Sequence, residues 1–413
     1  MKMSKLKPLG LIVIIIVLSI VISNQLMGPL YEPTTIVYAE PLDAYTLFTL
    51  DLLERSDFGK KNNIVSPLSI YIALLMLTEG SNGDTKEELL NALHIASLND
   101  SRTWFNNLLE DVLDVREPAR TSIANSVWIQ EEFPINDEYI NVLEKFYFAE
   151  ARLVDFVGEP FQATKAINKW IKNKTYGLIK EVISPGDIDE ATRIVLVNTL
   201  YFYAEWLKPF EEIVPGDFYS CKGVINIDYM KSTMDIHLLD THEFLAIALS
   251  YKGTDIKFVI VMPKDGDLEN FTNNLSKDKL LNIFEDLLSS TEVSVELYLP
   301  KFDIDSGSMS YKKILQDMGI RKVFDPRYAD LSPMVESRER ILYVKDVLHR
   351  ARVRVDLKGT EAAAATAVVM VLSAVMQPPK IIKINKPFMF FLLEPDNNAI
   401  LFAGSIIDPS SLQ

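Results

Sequence analysis

Residues 356–379 have the sequence DLKGTEAAAATAVVMVLSAVMQPP, a long run of small and apolar side chains with three charged residues near its start. In an extended strand, alternate residues from position 360 onward would share one side and leave Glu361 on the other. The shared set is Thr360, Ala362, Ala364, Thr366, Val368 and Met370. Small side chains allow such a segment to pass between strands that already touch. The pattern therefore indicates an exposed loop that can insert into a sheet. Local propensity alone favours a helix instead, because EAAAATA is rich in strong helix formers.

Catalytic and metal-binding residues occur in no recognisable arrangement. The chain contains no Gly-Lys-Thr/Ser phosphate loop and no His-Glu-x-x-His motif, and the single Cys221 cannot form a zinc-binding pair. Four histidines lack a nucleophile or metal pattern around them: His94, His237, His242 and His349. The sequence therefore disfavours an enzyme and predicts neither a cofactor nor a metal.

Strand-like segments flank this run on both sides. Upstream, residues 347–355 alternate in the manner of a half-buried strand. Downstream, residues 381–384, 388–393 and 399–403 carry β-branched and aromatic side chains between turn residues. The connection is far longer than a hairpin loop, and it is neither charged nor rich in Gly and Ser, so solvated disorder explains it poorly. A connection of this length in a compact domain is typical of a functional loop.

Residues 359–367, Gly-Thr-Glu-Ala-Ala-Ala-Ala-Thr-Ala, resemble the hinge of the reactive-centre loop of inhibitory serpins. The similarity extends over roughly residues 44–410, with further serpin-like motifs at 297–302, 318–320, 329–332, 386–388 and 400–404. The resemblance implies a mixed α+β domain of the serpin fold, with three β-sheets, about nine helices and an exposed reactive-centre loop at about 357–379.

The resemblance also implies an activity, that of an irreversible suicide inhibitor of serine proteases. The target cleaves the loop, stays joined to it through an ester, and is trapped as the loop inserts into the central sheet. The implied partner is therefore a target serine protease in a covalent complex, and the inhibitor itself is expected to be a monomer.

Three groups of positions receive roles from the resemblance. The hinge corresponds to Gly359, Thr360, Glu361, Ala362, Ala363, Ala364, Ala365 and Thr366. The region beneath the central sheet, called the shutter, corresponds to Ser66, Ser69, Asn198 and His349, with Asn198 paired to His349. The top of that sheet, called the breach, corresponds to Trp206 and Lys301. From the residues alone, Trp206 is adequately explained by core packing and His349 by a satisfied core histidine.

The chain departs from the family pattern before the hinge. Many serpins carry a Glu two residues before the hinge glycine, paired with a Lys near the breach. The matching residues here are Leu357 and Lys301, so that ion pair is absent, although Asp356 lies beside Leu357. A partly exposed pair is worth only about 0–1 kcal/mol. The substitution therefore bears on the barrier to loop insertion and not on the fold.

The bond that a target protease would cut is placed by the same resemblance. Spacing counted from the start of the hinge puts it between Ser373 and Ala374, whereas counting back from residues 378–379 or 385–388 gives Val375 or Met376. No residue of this window is basic, which favours an elastase-, subtilisin- or chymotrypsin-like target. The window comprises Leu372, Ser373, Ala374, Val375, Met376 and Gln377.

A non-inhibitory serpin that acts as a binding or chaperone-like protein is the alternative. Hinges that fail to insert often carry charged residues, bulky residues or proline. This hinge carries Thr360 followed by a run of Ala, so its composition favours the inhibitor.

The first residues have the layout of an export signal. Met1–Lys7 carries three lysines, and residues 9–22 are apolar. We assign residues 1–23 to a signal peptide or membrane anchor, residues 24–43 to a linker that contains prolines, and residues 44–413 to a single serpin domain. The expected location is extracytoplasmic, with the protein either secreted or anchored at the cell surface, and only the N-terminal segment touching the membrane.

The charge of the chain argues against nucleic-acid partners. The formal net charge is -15 and the sequence pI is about 4.9. Nucleic acids and heparin-type ligands bind basic surfaces, so this acidic composition argues against both as partners. The lone Cys221 permits no internal disulfide. Sequons for N-glycosylation, whose use depends on the host, occur at Asn99, Asn173, Asn270 and Asn274.

Several elements are expected to position these residues. Ser66 followed by proline predicts a helix start, and that helix is expected to end near Gly80. Residues 121–129 and 193–202 predict strands, the second of which carries Asn198, whose burial requires hydrogen-bond partners. A first helix over Leu42–Leu53 and another beginning at Asp84–Thr85 complete the expected surroundings.

Overall fold

The computed structural model describes residues 40–189, 192–336, 342–360 and 379–413. Nine α-helices lie within these ranges. They are α1 Pro41–Arg55, α2 Pro67–Glu79, α3 Gly83–Ala92, α4 Leu98–Leu113, α5 Asp137–Tyr147, α6 Pro160–Lys174, α7 Leu268–Asn273, α8 Lys277–Ser289 and α9 Lys312–Asp317.

The same ranges contain the strands of a mixed α+β architecture, as the sequence predicts. These are β1 Asn63–Val65, β2 Arg120–Gln130, β3 Ala149–Val154, β4 Ile194–Glu205, β5 Glu212–Ser220, β6 Gly223–Asp240, β7 Phe244–Ser250, β8 Lys257–Pro263, β9 Val293–Pro300, β10 Phe302–Asp305, β11 Met309–Ser310, β12 Leu348–His349, β13 Arg352–Val355, β14 Gly359–Thr360, β15 Lys380–Lys383, β16 Phe388–Glu394 and β17 Ala399–Ile406.

The central sheet has six strands in the order β10-β13-β14-β4-β2-β3. Strands β2 and β4 pair antiparallel without a register shift, from Arg120 opposite Tyr203 to Ile129 opposite Ile194. On the other side, β13 pairs with β10, and the two-residue β14 lies between β13 and β4. The ribbon of β11 and β12 extends the β10–β13 pair.

The remaining strands form a nine-stranded sheet that turns about the long β6. One end of β6 pairs with β7 and leads through β8, β16 and β17 to β1, while its other end pairs with β5 and β9. Strands β16 and β17 are buried along their whole length. Their nearly continuous apolar sequences, without strand alternation, reflect this burial on both faces.

Helix α2 lies between the two large sheets and contacts both β4 and β17. Ser66 caps it, because its Oγ accepts a hydrogen bond from the Ser69 N–H at 3.2 Å, and Pro67 occupies the first turn. The helix ends at the C-cap Gly80, as the sequence predicts. Its sequence is apolar on all sides, which suits a helix surrounded by protein.

Helix α6 covers the opposite face of the central sheet. A separate apolar cluster joins the helix to the strands, with Ile167 and Trp170 from α6 meeting Trp128 of β2 and Val197 of β4. Side chains of β4 therefore alternate between this cluster and the main core around α2.

The structure also corrects two expected boundaries. The predicted strand over residues 347–355 is divided into β12 and β13, because its neighbour contains one extra residue between Asp305 and Met309, where Gly307 has a φ of +66°. Helix α3 begins at Gly83, after the N-cap Asn82, and so one residue earlier than Asp84–Thr85. The first helix, α1, contains the predicted Leu42–Leu53.

The predicted leader over residues 1–23 and most of the linker lie outside the described residues. Among the helices that the structure does describe, none combines the length and apolar character needed to cross a membrane.

Candidate functional site

Trp206 follows β4 and fixes the segment that leads into the predicted hinge. Its indole Nε1 donates to the Asp356 carbonyl at 2.9 Å, and its backbone N–H donates to the Lys358 carbonyl at 2.7 Å. The indole is buried and stacks on the ring of Tyr251, with 4.6 Å between centroids and 12° between planes. Residues 356–358 are therefore tied to the end of β4.

The next two residues, Gly359 and Thr360, form a strand inside the central sheet. On one side they pair antiparallel with β4, Gly359 opposite Glu205 and Thr360 opposite Ala204. On the other side Thr360 lies opposite Val355 of β13. The first two residues of the predicted hinge are thus already a strand between β13 and β4.

The side chain of Thr360 is buried and hydrogen-bonded. Its exposed fraction is 2%, and its Oγ1 lies 2.5 Å from the hydroxyl oxygen of Tyr251. Burial raises the pKa of Tyr251 well above its usual value, so this phenol stays neutral and keeps its proton for the hydrogen bond. Tyr251 is a site residue that the sequence did not reveal.

Gly359 occupies a position that no larger residue fits. A Cβ built on it would lie 2.1 Å from the carbonyl oxygen of Ala204 and 2.7 Å from the Cα of Glu205. Both atoms belong to the backbone of β4, so neither can rotate away. The absence of a side chain is what lets the hinge approach β4 this closely.

A cleft continues the line of β14 further along the central sheet. Within the described residues, β4 and residues 342–349 do not pair with each other. A cavity of about 440 Å³ lies between them, and it also reaches helix α2 and the segment 182–189. The residues facing this cleft from the two walls include Ile194, Leu196, Asn198, Val347 and His349. The cleft therefore offers two unpaired strand edges in line with the hinge.

Three of the predicted shutter residues, Ser66, Ser69 and His349, meet at one end of this cleft. The Ser66 Oγ donates to the Leu401 carbonyl at 2.7 Å, and the Ser66 N–H donates to His349 Nε2 at 3.1 Å. His349 is buried, and desolvation lowers its pKa to about 4. It is therefore a neutral, hydrogen-bonded core histidine, as the local sequence suggested.

The predicted pairing of Asn198 with His349 is wrong for this structure. Asn198 Nδ2 donates instead to Asn125 Oδ1 at 2.5 Å, and Asn125 Nδ2 donates to the Tyr147 carbonyl at 2.6 Å. The Oδ1 of Asn198 is buried and has no hydrogen-bond partner among the described residues. The cleft separates the two predicted partners, and each has found another neighbour.

The segment between α6 and β4 bridges the two walls of the cleft. It leads into β4 at one end, and its polar groups contact the opposite wall. Lys345 Nζ lies 2.8 Å from Asp189 Oδ2, and Arg350 donates to the Glu181 carbonyl at 2.8 Å. This segment therefore lies over the cleft and restrains the separation of its walls.

A family model described as Serpin (serine protease inhibitor) matches residues 43–409. The chain belongs to the serpin family. An uncharacterized serpin-like protein from Thermococcus kodakarensis is 33% identical over 89% of this chain and 85% of its own length. The leukocyte elastase inhibitor of Sus scrofa is 32% identical over 89% of this chain and 98% of its own length. This is a family of protease inhibitors and not of enzymes.

The fold of this serpin matches that of a solved relative. The crystal structure of tengpin, a thermophilic serpin in the native state, superimposes with a TM-score of 0.78, covering 89% of this chain and 94% of that one at 24% identity. The serpin fold predicted from the hinge motif is therefore confirmed. The nine-stranded sheet comprises two of the three sheets of the serpin fold.

Most of the predicted reactive-centre loop, about residues 357–379, lies outside the described residues. Of the predicted hinge, the structure places Gly359 and Thr360, while Glu361, Ala362, Ala363, Ala364, Ala365 and Thr366 fall in the segment 361–378 that it does not describe. The whole cleavage window, residues 372–377, falls there too. The choice between helix and extended loop for this segment stays a prediction.

The predicted breach holds Trp206 but not an ion pair with Lys301. Leu357, at the position where many serpins have Glu, packs against the main core, and its carbonyl accepts from the Phe210 N–H at 2.8 Å. Asp356 does not compensate, because its carboxylate faces Arg354 at 3.6 Å. An apolar contact thus occupies the place of the family's ion pair.

The histidines and acids of the described residues form no cluster of three or more that would hold a metal ion. His94 contacts Asp51 at 2.8 Å, a carboxylate that also pairs with Arg55, and His237 lies 3.7 Å from Glu292. The candidate functional site therefore consists of the hinge residues Gly359 and Thr360, their contacts with Trp206 and Tyr251, and the cleft.

Proposed function

We propose that this serpin is an irreversible suicide inhibitor of serine proteases with elastase-, subtilisin- or chymotrypsin-like specificity. One observation carries the proposal. Gly359 and Thr360 already pair with β4 and β13, and in the same direction there continues a cleft whose two strand edges have no pairing partner among the described residues. A loop that is cut beyond the hinge can extend this strand without first separating paired strands.

The covalent step follows from cleavage in the proposed window. The serine hydroxyl of the protease attacks the carbonyl carbon of Ser373, the peptide bond to Ala374 breaks, and the new amine of Ala374 takes the proton. The carbonyl of Ser373 is then an ester of the protease serine. Insertion of residues 361–371 then moves this ester out of the arrangement in which the protease would hydrolyse it. The complex therefore stays covalent.

The energy for this movement comes from the two unpaired strand edges. A dozen or so inserted residues that satisfy two backbone groups each, at about 0.5–1.5 kcal/mol per hydrogen bond, would release on the order of 10 kcal/mol or more. That amount is comparable to the whole stability of an ordinary domain. The intact molecule must therefore be held away from its most stable state by a kinetic barrier.

The residues around the proposed cleavage site and the name of one relative both support this class of target protease. The window contains Leu372, Ser373, Ala374, Val375, Met376 and Gln377, none of which suits a protease that requires Lys or Arg. The leukocyte elastase inhibitor of Sus scrofa, similar at 32% identity, carries an elastase-type target in its name. An elastase-type protease is accordingly the first one to test.

The test combines complex formation with the stability of the clipped protein. The serpin is incubated with an elastase-type, a subtilisin-type and a trypsin-type protease, and the products are examined by denaturing electrophoresis and mass spectrometry. We expect an SDS-stable adduct with the first two, a cut within residues 372–377, and a clipped product that melts well above the intact protein. Cleavage in the window without adduct and without a rise in Tm would identify a non-inhibitory serpin.

We also propose that residues 1–23 export this serpin. The lysines of Met1–Lys7 and the apolar residues 9–22 support an export signal or anchor. N-terminal sequencing of the protein from cell membranes and from the medium would distinguish the two forms. Protein found only inside the cell with an intact Met1 would contradict export.

A further inference from the structure

Strand β3 forms one edge of the central sheet, and within the described residues no strand pairs with its outer side. The opposite edge, β10, is covered, because the Asp303 N–H donates to the Leu412 carbonyl at 2.9 Å. Edge strands commonly avoid further pairing through proline, lysine or a bulge. The sequence of β3, AEARLV, contains neither proline nor lysine, and its register with β2 has no shift. This edge is therefore open to a further strand.

The backbone groups of every second residue of β3 point outward. The Val154 carbonyl accepts from the Glu131 N–H at 3.0 Å, so the backbone groups of Val154 face the β2 side. In a strand, the N–H and C=O of one residue point to the same side, and those of the next residue point to the other. Counting back from Val154, the residues that present both groups to the outside are Ala149, Ala151 and Leu153.

Neither face of the sheet is covered at this edge. Arg152 is exposed on the α6 side, where its guanidinium lies 5.5 Å from the centre of the Trp128 ring. Ala151 and Leu153 are exposed on the opposite side, Leu153 at 66%. Helices α5 and α6 therefore leave room for a strand beside β3.

Large apolar side chains are exposed on both sides of β3 along the chain. Phe148 directly precedes the strand, Val157 follows it, and Phe161 lies in the first turn of α6. All three are exposed, as is Leu153 within the strand. Such a concentration of exposed apolar side chains is typical of an interaction surface.

The sequence of β3 is complementary to itself about Ala151. In an antiparallel pair of two β3 strands with a two-fold axis at Ala151, Ala149 lies opposite Leu153 and Glu150 lies opposite Arg152. The outward-pointing residues then form the hydrogen-bonded rows, and the opposite charges face each other in the rows between them. An axis at Glu150 or Arg152 would place like charges opposite each other and would have no outward backbone groups at its centre.

We propose that β3 is a dimer interface, at which a second copy of this chain continues the central sheet through an antiparallel β3–β3 pair. The outward N–H and C=O groups of Ala149, Ala151 and Leu153 are then hydrogen-bonded, and Leu153 is covered by the partner. The dimer replaces the monomer that the family resemblance implies, and it does not depend on the proposed inhibitory function. One strand and its flanking side chains make a small interface, so the dimer should dissociate on dilution.

Sedimentation velocity of the full chain over a dilution series tests the interface. Ala151→Pro removes the outward N–H at the two-fold axis and leaves the hydrogen bonds to β2 intact. Ala151→Thr is the matched control, because it keeps this N–H and suits a strand. We expect the wild type and Ala151→Thr to dimerise alike, and the loss of two hydrogen bonds in Ala151→Pro to raise the Kd by at least about tenfold. Similar Tm values at high dilution show that the monomers are equally folded.

Cysteine cross-linking tests the register in variants that keep every backbone N–H. Both variants carry Cys221→Ser, which removes the native cysteine. In the Ala151→Cys variant, the two substituted positions face each other with Cα atoms about 5.5 Å apart, within the range of a disulfide. In the Leu153→Cys variant, the two positions are separated by about 14 Å along the strands. Mild oxidation should therefore link the first variant and not the second, although position 153 is highly exposed.

Three results would overturn the proposal. The first is a wild type that stays monomeric at every concentration, and the second is an Ala151→Pro variant that dimerises as tightly as the wild type. The third is equal cross-linking of the Ala151→Cys and Leu153→Cys variants, which would indicate random collision. None of these results bears on trapping of a protease, so the dimer and the inhibitory function succeed or fail separately.

Discussion

The side-chain oxygens of Tyr251 and Thr360 lie 2.5 Å apart in the interior of the protein, although 109 positions separate these residues in the chain. Both residues are almost fully buried, with exposed fractions of 3% and 2%. Each hydroxyl therefore depends on the other for its hydrogen bond. The contact holds the start of the hinge within the central sheet of the uncut molecule.

Replacing Tyr251 by Phe should remove this anchor and leave the Thr360 hydroxyl unpaired. We expect the free energy of unfolding in urea to fall by about 1–3 kcal/mol, the cost of a buried polar group without a partner. Thr360→Val should cost less in the Tyr251→Phe background than in the wild type, since its partner has already gone. Fully additive losses would show that the two hydroxyls are not coupled.

Replacing Thr360 by Arg should abolish inhibition without protecting the loop from cleavage. The Thr360 side chain is already buried between β13 and β4 in the intact protein, so an arginine there would force the hinge out of the sheet, and loop insertion would have to bring an unpaired guanidinium back into the core. In a stoichiometric titration, we expect the protease to cleave the variant as a substrate, with no SDS-stable complex. Thr360→Ser, which keeps the hydroxyl at similar size, serves as the control. Full complex formation by the Arg variant would exclude insertion as the trapping step.

Replacing Gly359 by Ala should unseat the hinge. The added Cβ would meet the Ala204 carbonyl oxygen at 2.1 Å, so the hinge and β4 must move apart. We expect faster hydrogen exchange at the amides of residues 359–360 and a lower fraction of protease trapped per molecule cleaved. Exchange rates and trapping equal to those of the wild type would mean that the seated hinge has no part in inhibition.

The sequence predicted the parts of this site that depend on local patterns. Ser66 before a proline marked the start of α2, and the alternation of residues 347–355 placed His349 on the core side. Tyr251 left no such signal, since a tyrosine directly after an apolar strand is ordinary and its partner is distant in the chain. The hydrogen bond between Asn198 and Asn125 was equally hidden, because it depends on the register between β4 and β2.

Low pH should destabilise this serpin through His349. Burial lowers its folded pKa to about 4, against about 6.5 in the unfolded chain. The unfolded state therefore takes up a proton first, and stability is lost as the pH falls from about 6.5 towards about 4. For this one group we expect a loss of about 2 kcal/mol between pH 7 and pH 5. In urea titrations at the two pH values, the free energy of unfolding of His349→Gln should fall by about 2 kcal/mol less than that of the wild type. If both proteins show the same pH dependence, the assignment of this effect to His349 is wrong.

Helix α4 is joined to α2 and α5 by a buried ion pair whose loss should be costly. Glu79 has a side chain that is only 4% exposed, and its Oε1 accepts from Arg102 Nε at 2.7 Å and from the Tyr147 hydroxyl at 2.8 Å. Arg102→Ala leaves this carboxylate buried without its counter-charge, so we expect a loss of about 3 kcal/mol in the free energy of unfolding. Adding Glu79→Gln should recover part of that loss, because the uncompensated charge is then gone. The control is Lys313→Ala, which removes an exposed pair with Asp317 and should cost no more than about 0.5 kcal/mol. Equal losses for the Arg102 and Lys313 variants would mean that burial does not increase the contribution of the Glu79–Arg102 ion pair to the free energy of unfolding.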